Sequence, residues 1–499
     1  MPPDQPGTGL ARGFEGTFSE GTVSDFPTQL LIKGQWIDGS GAKRLVIVNP
    51  ATEESFAEVS SATADEIGQA AEAGQAAFES GWRDMPPGER TRLLRNLAKR
   101  IHENVETLAQ LETRNVGKPI GDARWEADAG AKVFDYYAGA IGHLCGQTIP
   151  VARGGFDFTL RQPMGVIAAI TPWNFPFLIA CWKVAPALAA GNSVVLKPAS
   201  LTPLTALMLG QLAQEAGLPD GVLQVVPGSG SEAGNALATH PLVRKIGFTG
   251  STEVGATIMK LAADDIKRVS LELGGKSPNI VFADADWQRA AAESPMSVFA
   301  NTGQDCCARS RMFIEQSIFD GFVDQFVAAT ESLKIGDPTD EATQVGPMVS
   351  AAQRELSESY IAGARDSGRE IRTGGDRPNG GGFYLNPAVV TGVETEDRAW
   401  REEIFGPVVC LRPFTDETEM LREVNDTNFG LSGSVFSNDL SRALRVARRV
   451  ESGVISINSH SSVHTEAPFG GFKRSGLGRD LGMSAMEACT EVKNIYVGE

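Results

Sequence analysis

Residues 165–198 read GVIAAITPWNFPFLIACWKVAPALAAGNSVVLKP. A short apolar run (165–172) comes first. An apolar stretch of helical length, FLIACWKVAPALAAG, follows, and NSVVLKP (192–198) is a second short run. Apolar length and flanking Gly and Pro read this as strand, helix, strand. The rhythm continues with LTALMLGQLAQEAG as a helix, GVLQVVPG as a strand, SEAGNALATH, VRKIGFTG as a strand, STEVGATIMKLAA as a helix and KRVSLELGG as a strand. Alternation of this kind predicts an α/β fold, with parallel strands and helical crossovers in a doubly wound sheet. Such sheets bind ligands at the carboxyl ends of their strands. TPWNFP, KPAS, PGSGS and FTGST all fall at those ends.

A second αβ series begins after about residue 275, with PNIVFADAD, RSRMFIEQ, GPVVCLRPF and GVISIN as strands. The switch at LELGGKS marks a domain boundary near 274. Upstream, AAEAGQAAFESGW and ERTRLLRNLAKRIHENVETLAQLETRNVGK are amphipathic helices, the latter capped near Gly117. GHLCGQTIPVARGGFDFTLRQPMG (142–165) has two strand-like runs around Gly-Gly and reads as a projecting hairpin. The terminal EVKNIYVG is a strand with no partner nearby in sequence. Hairpin and terminal strand together suggest edge pairing across subunits.

The chain of 499 residues has room for two or three domains and a large core. A net charge of -17 argues against nucleic acid and against anionic membrane surfaces. No segment supplies the roughly 20 apolar residues of a membrane span. The opening 1–25, rich in Pro, Gly and Ser, lacks a secretory pattern and reads as a mobile tail. Six cysteines over this length, mostly in apolar segments, suit reduced thiols in the cytoplasm. No metal is expected: there is no CxxC or HExxH, and His460 and His464 lie in a Ser-rich loop.

Several residues carry both a plain and a chemical reading. PGSGSEAG (227–234) is an ordinary turn or a weak dinucleotide signal. Ser251 in GFTGSTEVG caps a helix, and the same helix start offers free N–H groups to a pyrophosphate. Lys197 is a solvated strand-end lysine or a donor to a ribose. Glu272 is exposed beside Gly-Gly, or buried with a raised pKa and able to act as a base. Asn174 is a helix cap or an oxyanion donor. Cys306 and Cys307 in NTGQDCCARSR are core thiols or a nucleophile with a bystander. The basic neighbours Arg309 and Arg311 predict extra thiolate character. A Cys–His hydrolase is a rival reading, without a His that the sequence links to this cysteine.

Taken together, TPWNFP, NSVVLKPAS, GFTGSTEVG, LELGGKSPNIV, NTGQDC, EEIFGPVV and PFGGFKRSGLGRDLG resemble, in order, the aldehyde dehydrogenase superfamily. The resemblance implies a Rossmann-like cofactor domain (26–141 and 160–274), a second α/β catalytic domain (275–470) and a small β oligomerisation element (142–159 and 485–499). It implies a homodimer or homotetramer. It implies Cys306, after Gly-Gln-x, as nucleophile, Cys307 as bystander, Asn174 as oxyanion donor and Glu272 as base. Glu403 and Phe405 would meet the nicotinamide side of NAD or NADP. Thr171, Trp173, Lys197, Ser200, Gly250 and Ser251 would meet the rest of the cofactor. Many members have Glu where this chain has Ser200, so repulsion of a 2′-phosphate is removed and NADP use is expected.

The implied chemistry is attack of the Cys306 thiolate on an aldehyde, hydride transfer to nicotinamide, and hydrolysis of the thioester by Glu272-activated water. Glu272 argues against coenzyme-A-acylating relatives, and the full residue set argues against a non-catalytic homologue. Family matching puts Phe175, Trp182, Val463 and Phe469 around the aldehyde. This suits aliphatic or aromatic aldehydes, or a cationic amine through cation–π contact. IACWKVAPALAAGN resembles the betaine and amino-aldehyde branch, whereas CARSR departs from the usual betaine aldehyde dehydrogenase pattern.

Overall fold

The computed structural model describes residues 26–41, 43–461 and 463–498. The expected tail at 1–25 lies outside them. The opening stretch folds as read, with strand Val166–Ile170, helix Pro176–Ala189 and strand Ser193–Lys197. All three elements are buried throughout, which explains why the helix shows no polar face in sequence.

These strands sit in an eight-stranded sheet. Its parallel centre runs Arg268–Glu272, Val243–Thr249, Val166–Ile170, Ser193–Lys197, Leu223–Val225. Chain order proceeds one way from Val166–Ile170 and the other way from Val243–Thr249. The topological switch therefore lies between Ile170 and Thr249, and a crevice opens there at the carboxyl ends. Antiparallel edges come from Leu30–Ile32 with Gln35–Ile37, and from Gly476–Leu477, which pairs with Leu271 and Glu272. The C-terminal region thus returns to brace the strand that carries Glu272.

A second, seven-stranded sheet runs Glu370–Thr373, Ala388–Thr391, Val408–Phe414, Arg311–Glu315, Pro278–Val281, Ser432–Phe436, Val454–Ile457. Arg311–Glu315, directly after the paired cysteines, is its central strand. The loop that carries the paired cysteines therefore hangs from the central strand of this layer.

Two expectations are corrected. The stretch read as one helix before Gly117 is two, Pro87–Glu103 and Val105–Val116, broken at Asn104. The Asn104 side-chain amide donates to the Arg100 carbonyl at 2.8 Å, a local bond that competes with helix continuation. Gly117 does end the second helix, at φ 86°. The terminal strand is not an orphan either. Thr490–Val497 pairs antiparallel with Phe156–Pro163 of the same chain, from Thr490 opposite Pro163 to Val497 opposite Phe156. Thr148–Ile149 completes a three-stranded sheet. Long sequence separation hid this pairing.

Candidate active site

A cavity of about 760 Å³ opens at the switch point between the two sheets. Thr171, Trp173, Asn174, Lys197 and Ser200 line it from one flank. Gly250, Ser251 and Glu272 line it from the next strands, and Cys306, Glu403 and Phe405 close its far end. The structure thus gathers the sequence-chosen cofactor and catalytic residues into one space.

The plain readings fail where they assumed exposure. Lys197 is 4% exposed and donates to the carbonyls of Pro198 at 2.7 Å and Gly228 at 2.9 Å. Burial pulls its pKa down to about 8. Ser200 donates to the same Gly228 carbonyl at 3.0 Å. The PGSGS turn, weak as a motif, is here a true wall: Gly230, Ser231 and Gly234 line the cavity. Ser251 is a cap, accepting from Val254 N–H at 3.3 Å, and it faces the cavity as well. Gly250 lacks space for a side chain, since a Cβ there would meet the Phe248 ring at 2.6 Å. Trp173 packs edge-on against Phe405 with ring centres 5.1 Å apart, so it stands at the Phe405 end of the cavity.

Asn174 is not a helix cap. The cap position belongs to Phe175, and the Asn174 amide donates to the Gln304 carbonyl at 2.9 Å. One amide proton is thereby fixed, and the second is oriented by the same planar group. Glu272 is 3% exposed, and both carboxylate oxygens lack a hydrogen-bond partner among the described residues. Burial, then the neighbouring Cys307, raises its pKa well above the usual range. Glu403 accepts from Gly275 N–H at 2.9 Å, and burial pushes its pKa up to about 7. The LELGG glycines make room: a Cβ at Gly274 would strike the Glu403 carboxylate, and one at Gly275 the Cys306 carbonyl.

Cys306 is half-buried and faces the cavity, whereas Cys307 is 7% exposed and does not line it. Their sulfurs and an Asp305 carboxylate oxygen lie within 4.8 Å of one another. Three donors fall short of a four-ligand structural zinc shell, and Asp305 is already held by Cys307 N–H at 2.8 Å.

The expected thiolate character is overturned. The Cys306 pKa stands well above its ordinary value, through the hydrogen bond with the Cys307 thiol, then burial, then Glu272. The arginines do not offset this. Arg311 turns to the Lys276 and Val424 carbonyls, and Arg309 is spent on carbonyl and hydroxyl acceptors. Sequence proximity did not give side-chain direction.

The four residues expected around the aldehyde, Phe175, Trp182, Val463 and Phe469, do not line this cavity; Phe175 and Val463, with Cys306, pack against the cluster that holds Trp182 and Phe469. Trp182 and Phe469 meet edge-on at 5.4 Å. One residue escaped the sequence reading. Lys118, 1% exposed and ion-paired to Glu126, stacks its ammonium over the Phe175 ring at 4.2 Å. Nothing in VGKPI marks it, because its partner lies on the next helix.

The aldehyde dehydrogenase family model matches residues 36–495. The chain is similar to betaine aldehyde dehydrogenase 1 of Oryza sativa subsp. japonica, at 43% identity over 93% of this chain and 94% of the other. It is similar to phenylacetaldehyde dehydrogenase of Pseudomonas fluorescens, at 42% identity over 94% and 96%. Among solved structures, betaine aldehyde dehydrogenase from Staphylococcus aureus in complex with NAD+ superposes with a TM-score of 0.93. That likeness has 37% identity and covers 95% of each chain. The chain is an enzyme that belongs to the aldehyde dehydrogenase family.

Proposed function

We propose that this enzyme oxidises aldehydes to carboxylic acids with NAD or NADP, using Cys306 as nucleophile. The observation that carries the reading is the convergence of Cys306, Asn174 and Glu272 at one end of the switch-point cavity. The cavity fits a dinucleotide. It has the volume, a buried lysine at Lys197, and the N-terminus of helix Thr252–Ala263 for a pyrophosphate. When bound there, the nicotinamide accepts the hydride that the aldehyde carbon gives up.

The residues of the chain do the rest. Cys306 and Glu272 are unfavourable to charge together, because ionised Glu272 raises the cost of ionising the Cys306 thiol. Attack by the Cys306 thiolate is therefore favoured while Glu272 is neutral, and the thiol proton leaves to solvent. Asn174 presents its free amide proton to the oxygen of the tetrahedral adduct. Once sulfur is acylated its charge is gone and Glu272 gives its proton to solvent; the carboxylate then takes a proton from the hydrolytic water, whose oxygen bonds the acyl carbon as the C–S bond breaks and the Cys306 sulfur leaves as thiolate.

The favoured substrate is a neutral aldehyde with an aliphatic or aromatic side chain. Lys118 supports this: it already occupies one face of Phe175 and sets a positive charge behind it. A betaine or amino aldehyde is the second reading, favoured by the similarity to the rice protein. Reduced-nicotinamide absorbance with betaine aldehyde, an amino aldehyde, hexanal and benzaldehyde, run with NAD and NADP, separates the two. Cys306→Ala should abolish every one of these activities; retained oxidation removes Cys306 from the mechanism. The exposed Phe156, Val492 and Tyr496 on the three-stranded sheet support a homodimer or homotetramer, which light scattering tests.

A further inference from the structure

Arg309 is a buried cation that the mechanism above does not use. It is 2% exposed, and among the described residues no carboxylate lies within ion-pair distance of it. Burying an unpaired guanidinium is costly unless its donors are met. Here they are met by three separate pieces of chain. Nε donates to the Ser434 hydroxyl at 2.9 Å, on strand Ser432–Phe436 of the second sheet. One terminal nitrogen donates to the carbonyl of Cys307, next to the nucleophile. The other donates to the carbonyl of His460 at 3.2 Å.

Val463, three residues after His460, packs against the same apolar cluster as Cys306. The His460 ring is pinned separately, 3.2 Å from Ser294 Oγ and 4.9 Å from the Phe436 ring centre. Burial and the Arg309 charge hold that imidazole neutral, with its pKa down to about 3. The guanidinium is the link that draws the His460 backbone onto the nucleophile loop.

We propose that Arg309 is a positioning residue: it ties the His460 backbone, three residues before Val463, to the Cys306–Cys307 loop and so sets the clearance for the aldehyde side chain over the sulfur. The proposal rests on Cys306 being the nucleophile. It makes Arg309 a determinant of side-chain size and leaves the cofactor side untouched.

The test is steady-state kinetics of Arg309→Met and Arg309→Lys with acetaldehyde and benzaldehyde, alongside Cys306→Ala. Loss of the clamp should raise the KM for benzaldehyde about tenfold, as misplacement of a bound reactant does. The KM for acetaldehyde, the KM for NAD and kcat should stay within about threefold. The lysine, with its charge but no fork, should fall between wild type and methionine. Equal changes for both aldehydes, or a parallel rise in the KM for NAD, would overturn the clamp and leave a general packing role. Should Arg309→Met not fold, Ser434→Ala removes only the Nε acceptor and must shift the benzaldehyde-to-acetaldehyde KM ratio in the same direction; an unchanged ratio sinks the proposal. Activity surviving in Cys306→Ala would instead overturn the nucleophile, whatever the arginine variants do.

Discussion

Glu272→Gln isolates the hydrolytic step. The substitution keeps shape and removes the charge. Both carboxylate oxygens of Glu272 are free among the described residues, so no existing hydrogen bond has to be broken. The nearest substitute base on the cavity wall is Glu403, and it is tied to Gly275 N–H at 2.9 Å. Deacylation should therefore lose the whole contribution of a positioned general base, about 10²–10⁴-fold. That is about 3–5 kcal/mol on the barrier. The earlier steps should survive, because ionised Glu272 opposes the Cys306 thiolate and the amide does not. Rapid mixing with saturating aldehyde and NAD should show a burst of reduced nicotinamide, about one per subunit, then a slow phase. Undiminished steady turnover would refute the assignment. Loss of the burst together with the steady rate would place Glu272 in the attack step as well and refute a role confined to hydrolysis.

The pH profile has a definite sign. Glu272 must be ionised to take a proton from water, and its pKa lies well above the ordinary carboxylate value, chiefly through burial. Where deacylation limits, the steady rate should be low in the ordinary carboxylate range and rise with pH beyond it; a flat profile down to that range contradicts the burial argument. Asn174→Ala should lower kcat about 10²–10³-fold, the usual cost of one oxyanion donor, with little change in the KM for NAD. Ser200→Glu places a carboxylate where Ser200 now shares the Gly228 carbonyl with Lys197. Repulsion of a 2′-phosphate at about 6 Å in a half-buried site should cut the NADP-to-NAD ratio of kcat/KM about ten- to a hundredfold; an unchanged ratio removes Ser200 from cofactor choice.

The doubly wound sheet was legible because its strands and helices are short, local and punctuated by Gly and Pro. Strands Glu370–Thr373, Ala388–Thr391 and Ser432–Phe436 were not. EIRT lies at a sheet edge and is only half-buried, and SGSVF carries Gly and Ser that read as a turn. The partner of the terminal strand was invisible for another reason, since register between residues 157 and 496 has no local signature. In the site, residue identities were legible through motif order, and side-chain directions were not. Arg309 and Arg311 sit beside Cys306 in sequence, yet their donors go to carbonyls and the Ser434 hydroxyl. Lys118 is remote in sequence and lies against the Phe175 ring.

The backbone before Cys306 explains why the loop needs so many fastenings. Asn301, Thr302 and Gly303 have φ of 48°, 57° and 72° in succession. Glycine takes this region freely. Asparagine tolerates it, and a β-branched threonine resists it. The two non-glycine residues together cost about 2–6 kcal/mol. Opposing that, Thr302 donates to the Gly346 carbonyl at 2.9 Å. Gln304, fully buried, accepts from Val349 N–H at 2.9 Å and donates to the Asn301 carbonyl at 3.0 Å. Its own carbonyl receives the Asn174 amide. Four such bonds, at about 1 kcal/mol each, are of the same size as the strain. The strained turn is therefore held by the network that also orients the oxyanion donor. Cys306 and Asn174, the proposed nucleophile and oxyanion donor, are fixed relative to each other by one set of bonds, before any aldehyde arrives.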